Sequence, residues 1–179
     1  MAFHHVALAT TDIDATHRFY TGAMGFTLVK TVVAPTGSPG GGWAKHVFYD
    51  TGGGGMLAVW DLHDDTISTD FNPAISKGLG LPEWVNHIAF DSPDLEDFDR
   101  CRRRWQEHGV EVAEIDHGWC RSIYATDPNG IMVEFCCTTV AFTASDAAEA
   151  AQNLAAAAPE PEPMPEITFH PALAPEGAH

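Results

Sequence analysis

Basic side chains are scarce in this sequence: 9 Lys and Arg stand against 25 Asp and Glu among 179 residues, a formal net charge of −16. With no basic patch to neutralise phosphates, nucleic-acid binding is excluded as the main function. Long apolar runs are also missing. Apolar residues make up 45% of the chain, yet no uncharged stretch approaches the ~18 residues that span a bilayer. The N-terminus, Met1-Ala2-Phe3-His4-His5, has neither the basic region nor the apolar core of a secretory signal. Cysteine is limited to 4, two of them adjacent as Cys136-Cys137, which makes no disulfide framework. These absences predict a soluble, cytoplasmic, globular protein. No Ser or Cys nucleophile constellation is legible. The glycine runs at 40–42 and 52–55 open no strand-to-helix turn with a Lys, so no phosphate loop is indicated.

The charge is unevenly placed. Residues 141–179 carry six acids and no Lys or Arg, leaving 19 acids against 9 bases in the first 140. That tail is Ala-rich from Ala144 to Ala158 and then runs Pro159-Glu160-Pro161-Glu162-Pro163. Few large apolar groups are there to offset ordering entropy, so the tail is expected to be mostly disordered, with a short docking helix as the alternative.

The first 140 residues contain a weak internal repeat. His5-Val6-Ala7-Leu8 with Asp12-Ile13 is echoed by His87-Ile88-Ala89-Phe90 with Asp94-Leu95, an offset of 82. Gly55-Met56-Leu57-Ala58-Val59 parallels Gly130-Ile131-Met132-Val133-Glu134 at an offset of 75. Each copy reads as a strand, a helix and further strands. The first helix is predicted to start near Asp12 and to place Ile13, His17, Tyr20 and Met24 at helical spacing. The second is predicted to be capped by Ser92 before Pro93, with an apolar stripe of Leu95, Phe98, Cys101 and Trp105, and to stop at Gly109. Strands are expected at 45–50, 56–62, 111–116, 119–125 and 131–138. The class is α+β, with tandem βαβββ modules at 1–62 and 84–140, an inter-module linker at 63–83 and the tail at 141–179. Arg102-Arg103-Arg104 reads as a solvated helix face, and His17 as lying near the surface.

Strand alternation isolates the residues that can do chemistry. His5 shares a face with Ala7 and Ala9, and His87 shares one with Ala89, while bulky neighbours take the opposite faces. Glu134 also alternates with Val133 and Phe135. A carboxylate inside such a run is costly to bury without a partner. Taken singly, each is a core His satisfied by a carbonyl or a salt-bridged Glu. Together, at equivalent repeat positions, two His and one carboxylate make a facial triad that leaves metal positions open.

On these residues the chain resembles the vicinal oxygen chelate superfamily, whose paired βαβββ modules form a cup-shaped mixed sheet around a metal. The resemblance covers residues 3–138 and implies metal ligation by His5, His87 and Glu134, with Val59 at the fourth ligand position. A residue without a donor there points away from the four-ligand lyases and epimerases. A closer resemblance, to the extradiol ring-cleavage dioxygenases, is carried by Ile115-Asp116-His117, Ile123-Tyr124, Asp127-Pro128-Asn129-Gly130 and Glu134 in one frame. It implies Fe(II), with Mn(II) as alternative, and a small aromatic diol cleaved with O2. It also implies that Tyr124 and His117 act as hydrogen-bonding groups of the substrate site. The family's acid–base His is not at its usual place; His46 is the preferred substitute and His63 the other. Trp43, Phe48, Trp60 and Trp119 are candidates for an aromatic wall. A homodimer is expected by the same resemblance. The alternatives are a metal-dependent isomerase, epimerase or lyase of that superfamily, and a non-catalytic antibiotic-sequestering protein.

Overall fold

A computed structural model describes residues 3–67 and 70–174. The first module runs β1 (His5–Thr10), α1 (Ile13–Arg18), a π-helical turn (Phe19–Ala23), β2 (Thr27–Pro35), β3 (Trp43–Asp50) and β4 (Met56–His63). A short α2 (Ile75–Gly78) lies between the modules. The second continues with β5 (His87–Asp91), α3 (Leu95–Glu107), β6 (Val112–Asp116), β7 (Cys120–Thr126) and β8 (Met132–Thr138), followed by α4 (Ala144–Ala155) and β9 (Ile167–His170). The strand orders are β1-β4-β3-β2 and β5-β8-β7-β6-β9, with the first and last strands of each module parallel. Among the described residues no helix is long and apolar enough to cross a membrane.

Local chemistry explains the helix ends. The Asp12 side chain accepts from Ala15 N, as expected of an N-cap. In the second module the cap is Asp94, which accepts from Asp97 N, while Ser92 Oγ instead donates to Asp97 Oδ2. Ser92 lies two residues before the cap, because the backbone is still extended at Asp94 and turns helical only at Leu95. Gly109, at φ +76°, ends α3 as its freedom in the left-handed region allows.

The helix-side faces of both sheets share one core. Leu8, Val47, Tyr49, Leu57 and Val59 of the first sheet join Val112, Ile123, Val133 and Phe135 of the second, with Tyr20, Met24, Phe98 and Trp105 between them. Leu95 is left half-exposed at the start of its stripe. Polar contacts lock the modules together. Tyr20 donates its hydroxyl to Asp127 Oδ2 (2.9 Å), Thr10 Oγ1 donates to Asn129 Oδ1 (2.8 Å), and Asn129 Nδ2 donates to Thr16 Oγ1 (3.0 Å). The Asp127-Pro128-Asn129-Gly130 turn is thus an inter-module clamp as well as a turn. Arg104 is not on a solvated face: its guanidinium donates to the carbonyls of Ala23 (2.9 Å) and Met24 (2.7 Å) in the other module. His17 faces the sheet, with Nδ1 3.2 Å from the Tyr49 hydroxyl.

The tail departs from the expectation of disorder. Thr143 and Asp146 close a capping box on α4, the docking-helix alternative without the docking, since every residue of that helix is exposed. Beyond the proline-rich stretch, β9 adds a fifth strand to the second sheet, antiparallel to β6.

Candidate functional site

Because the helix-side faces are shared, the other face of each sheet looks outward. The register says what it carries. On the second sheet Ala89, Glu134, Tyr124 and Ala113 lie side by side across β5, β8, β7 and β6, with His87 two residues before Ala89. Glu134 is 5% exposed, and among the described residues its recorded ion-pair partner is His87, with Nε2 3.2 Å from Oε2. His87 Nδ1 lies 3.0 Å from the Trp84 carbonyl, which can only accept, so Nδ1 carries a proton. In the neutral ring Nε2 then presents a lone pair to a carboxylate oxygen. That juxtaposition needs a proton shared between the two groups, or a metal.

The donor set fits a divalent metal. A 3.2 Å separation is close to the ~3 Å between two donors each about 2.1 Å from one ion at right angles. The Trp84 carbonyl fixes the imidazole in the way outer-shell acceptors do around metal-binding His. Among the described residues of one chain, however, no three His, Cys, Asp or Glu side chains gather where they could hold a metal ion. The structure brings His87 and Glu134 together and does not bring His5 to them.

His5 is on the outward face of the first sheet. Its Nδ1 is 2.8 Å from His4 Nδ1, and its ring lies 5.5 Å from Phe48 and 6.0 Å from His46. His46 stacks flat on Trp60, with centroids 3.8 Å apart. Its Nε2 is buried and has no hydrogen-bond partner. Burial lowers the His46 pKa, and the neighbouring His5 lowers it further. His63 is on the opposite face, stacked on Trp43 and 2.9 Å from Asp61 Oδ2, so of the two candidate acid–base groups only His46 adjoins His5. Phe48 and Trp60 form an outward aromatic wall; Trp43 does not belong to it, and Trp119 packs on Phe142 beyond the tip of β7.

Tyr124 and His117 are together, with Nε2 3.0 Å from the phenol oxygen. The Tyr124 pKa is pushed up to about 12, chiefly by burial, so the hydroxyl keeps its proton. Cys120, on the same face, is likewise pushed up to about 12 by burial, which makes it a poor nucleophile.

Val59 is not at the fourth ligand position. It is 1% exposed in the shared core. Glu134 pairs with Ala89, two residues after His87; the residue that pairs with Ala7, two after His5, is Ala58. The true offset between the last strands is one residue longer than the sequence comparison suggests, and a one-residue slip reverses a strand's faces. Ala58 likewise offers no side-chain donor. Sequence reasoning missed the Trp84 carbonyl, which has no sequence signal. It also missed Phe169, which the alternating Ile167-Thr168-Phe169 could have flagged.

The comparisons with known proteins agree with this architecture. Residues 2–135 match the sequence profile of the Glyoxalase/Bleomycin resistance protein/Dioxygenase superfamily. A search of curated proteins returns no match. Among solved structures, a glyoxylase/bleomycin resistance protein/dioxygenase domain from Frankia sp. EAN1pec superposes with a TM-score of 0.56 at 17% identity, covering 77% of this chain and 98% of that one. Lactoylglutathione lyase from Agrobacterium tumefaciens gives 0.51 at 22% identity, over 76% and 92%. The fosfomycin resistance protein FosX from Listeria monocytogenes gives 0.51 at 19%, over 82% and 97%. At such identities the likeness is one of fold.

Proposed function

The chain belongs to the glyoxalase/bleomycin resistance protein/dioxygenase superfamily, and on that premise we propose that it is an Fe(II)-dependent dioxygenase of the extradiol type, with Mn(II) as the alternative ion, acting on a catechol-like diol. The observation that carries this reading is the outward line of His87, Glu134 and Tyr124, with His117 on the Tyr124 hydroxyl. The absence of a donor at Ala58 supports it over a four-ligand lyase, because it leaves room for both a diol and O2.

His87 and Glu134 would hold the ion, and the third ligand would be His5 of a second copy. In one chain His5 lies on the other outward face, so two chains related by a two-fold axis would each lend His5 to the other and complete two such sites. When bound, the ion supplies the positive charge that acidifies the diol and the redox partner through which O2 reacts. The protein's own groups do the rest. His46, whose pKa partial burial and the neighbouring His5 lower, would serve as the base that takes a proton from the diol. Tyr124, held protonated and pinned by His117, donates its O–H to the developing oxyanion. Phe48 and Trp60 keep water from the ring.

The test is anaerobic reconstitution with Fe(II), followed by oxygen uptake on mixing with a panel of catechols. Uptake with a yellow ring-opened product is expected. Retained metal without uptake would replace the dioxygenase by an isomerase or lyase. Failure to retain any divalent metal would leave a ligand-sequestering protein.

A further inference from the structure

The C-terminal strand places an aromatic side chain in line with the site. β9 is anchored at its far end: His170 Nε2 lies 2.8 Å from Glu114 Oε2, Gln106 Nε2 donates to the Pro171 carbonyl (2.9 Å), and Leu173 N donates to the Gln106 carbonyl (2.9 Å). Its register puts Phe169 opposite Ala113, which is itself opposite Tyr124. Along that row the outward face therefore reads Glu134, Tyr124, Ala113, Phe169. Adjacent strands are about 4.8 Å apart, so the strands bearing the two aromatic residues are about 10 Å apart, with one methyl group between them. That is room for a single flat ring standing over Ala113, in contact with an aromatic side chain on each side.

The gap is a cleft of about 180 Å³, bounded by Glu111, Ala113, Tyr124, Thr126, Met132 and Phe169. Phe169 is held by its strand yet 64% exposed, an apolar surface that a bound ring would cover. Glu111 at the rim disfavours an anionic substituent.

We propose that this slot binds an aryl ring lacking negative charge, which makes the C-terminal strand part of the ligand site and Phe169 a specificity-determining residue. The slot stands on its own geometry; only its use for the far end of a diol-bearing substrate rests on the dioxygenase reading.

The experiment uses the full-length, metal-free protein, titrated with 4-ethylphenol and followed by backbone amide NMR shifts. Binding is expected to shift the amides of Ala113, Thr126 and Phe169. Phe169→Ala is expected to weaken it about tenfold, and Phe169→Tyr to restore it. Ala113→Leu fills the slot from its floor without touching the tail, and is expected to weaken binding as much. 4-Ethylbenzoate is expected to bind more weakly than the phenol. No shift at these amides, or unchanged affinity in both Phe169→Ala and Ala113→Leu, would overturn the proposal. Fe(II) retention by the same variants should match the parent. A failure of oxygen uptake with catechols would remove the dioxygenase reading while leaving the 4-ethylphenol result in force.

Discussion

His46 shows how much a side chain's chemistry depends on neighbours far along the chain. Stacking on Trp60 buries the imidazole, and His5 adds a like charge whenever both are protonated. Both effects favour the neutral form, so its pKa falls below the ordinary value of about 6.5. A base must be unprotonated to work, and activity is lost as pH falls through that lowered pKa. The acid limb of kcat/KM is therefore expected below pH ~6.5, and His46→Gln should abolish the limb and reduce kcat by about 10²–10⁴-fold. A pH–rate profile of the two proteins checks this; an unchanged limb in the variant would assign it to another group. The candidate ligands His87 and Glu134 were legible at this scale, because alternation with Ile88, Val133 and Phe135 already places them opposite the core. The fourth position was not. Repeat similarity around Gly55 and Gly130 fits an offset of 75, and only pairing with β1 shows that Ala58, not Val59, faces outward.

At the scale of elements, the first helix changes pitch. α1 gives way to a π-helical turn over Phe19–Ala23, and Gly22 there lies against the His108 ring, where a Cβ would come within 3.0 Å of Cδ2. Gly25, at φ +73°, then turns the chain into β2 directly beneath Arg104, whose Cζ would be 2.8 Å from an added Cβ. Gly25→Ala is expected to cost about 1–3 kcal/mol, from the left-handed backbone and from displacement of Arg104. A urea titration measures it; a loss of under half a kcal/mol would show that Arg104 moves aside freely. β2 went unannounced in the sequence because it is exposed almost throughout and its register shifts between Leu28 and Lys30, which breaks the alternation that marks a strand. β9 escaped notice because composition, dominated by Ala and Pro, says nothing about four residues that pair with a distant edge.

The whole molecule is built inside out relative to a cup closed by one chain. Helices from both modules sit between the sheets, so each outward face carries half of the candidate site. A mixture of His5→Ala and Glu134→Ala chains tests this directly. Each variant alone is expected to bind no metal tightly. A mixed dimer combines the intact His5 of one chain with the intact Glu134 of the other, giving one good site of two. Random pairing of equal amounts should then restore about a quarter of the wild-type metal content, read by metal analysis after co-refolding. No recovery would require the three ligands to come from a single chain.

Composition, alternation and the repeat were enough to determine the α+β class, a duplicated module that opens with a strand and a helix, and the outward placing of His5, His87 and Glu134. Those are local properties: side-chain direction along a strand has period two, and a cap or a left-handed glycine acts within one turn. Tertiary structure alone decided the rest. It joined Glu134 to His87 and set His5 apart, turned Arg104 and the Asp127–Gly130 turn into inter-module contacts, and laid Phe169 beside Ala113. Each of these depends on strand register and module packing, which are set by free-energy differences summed over the shared core and written in no single segment.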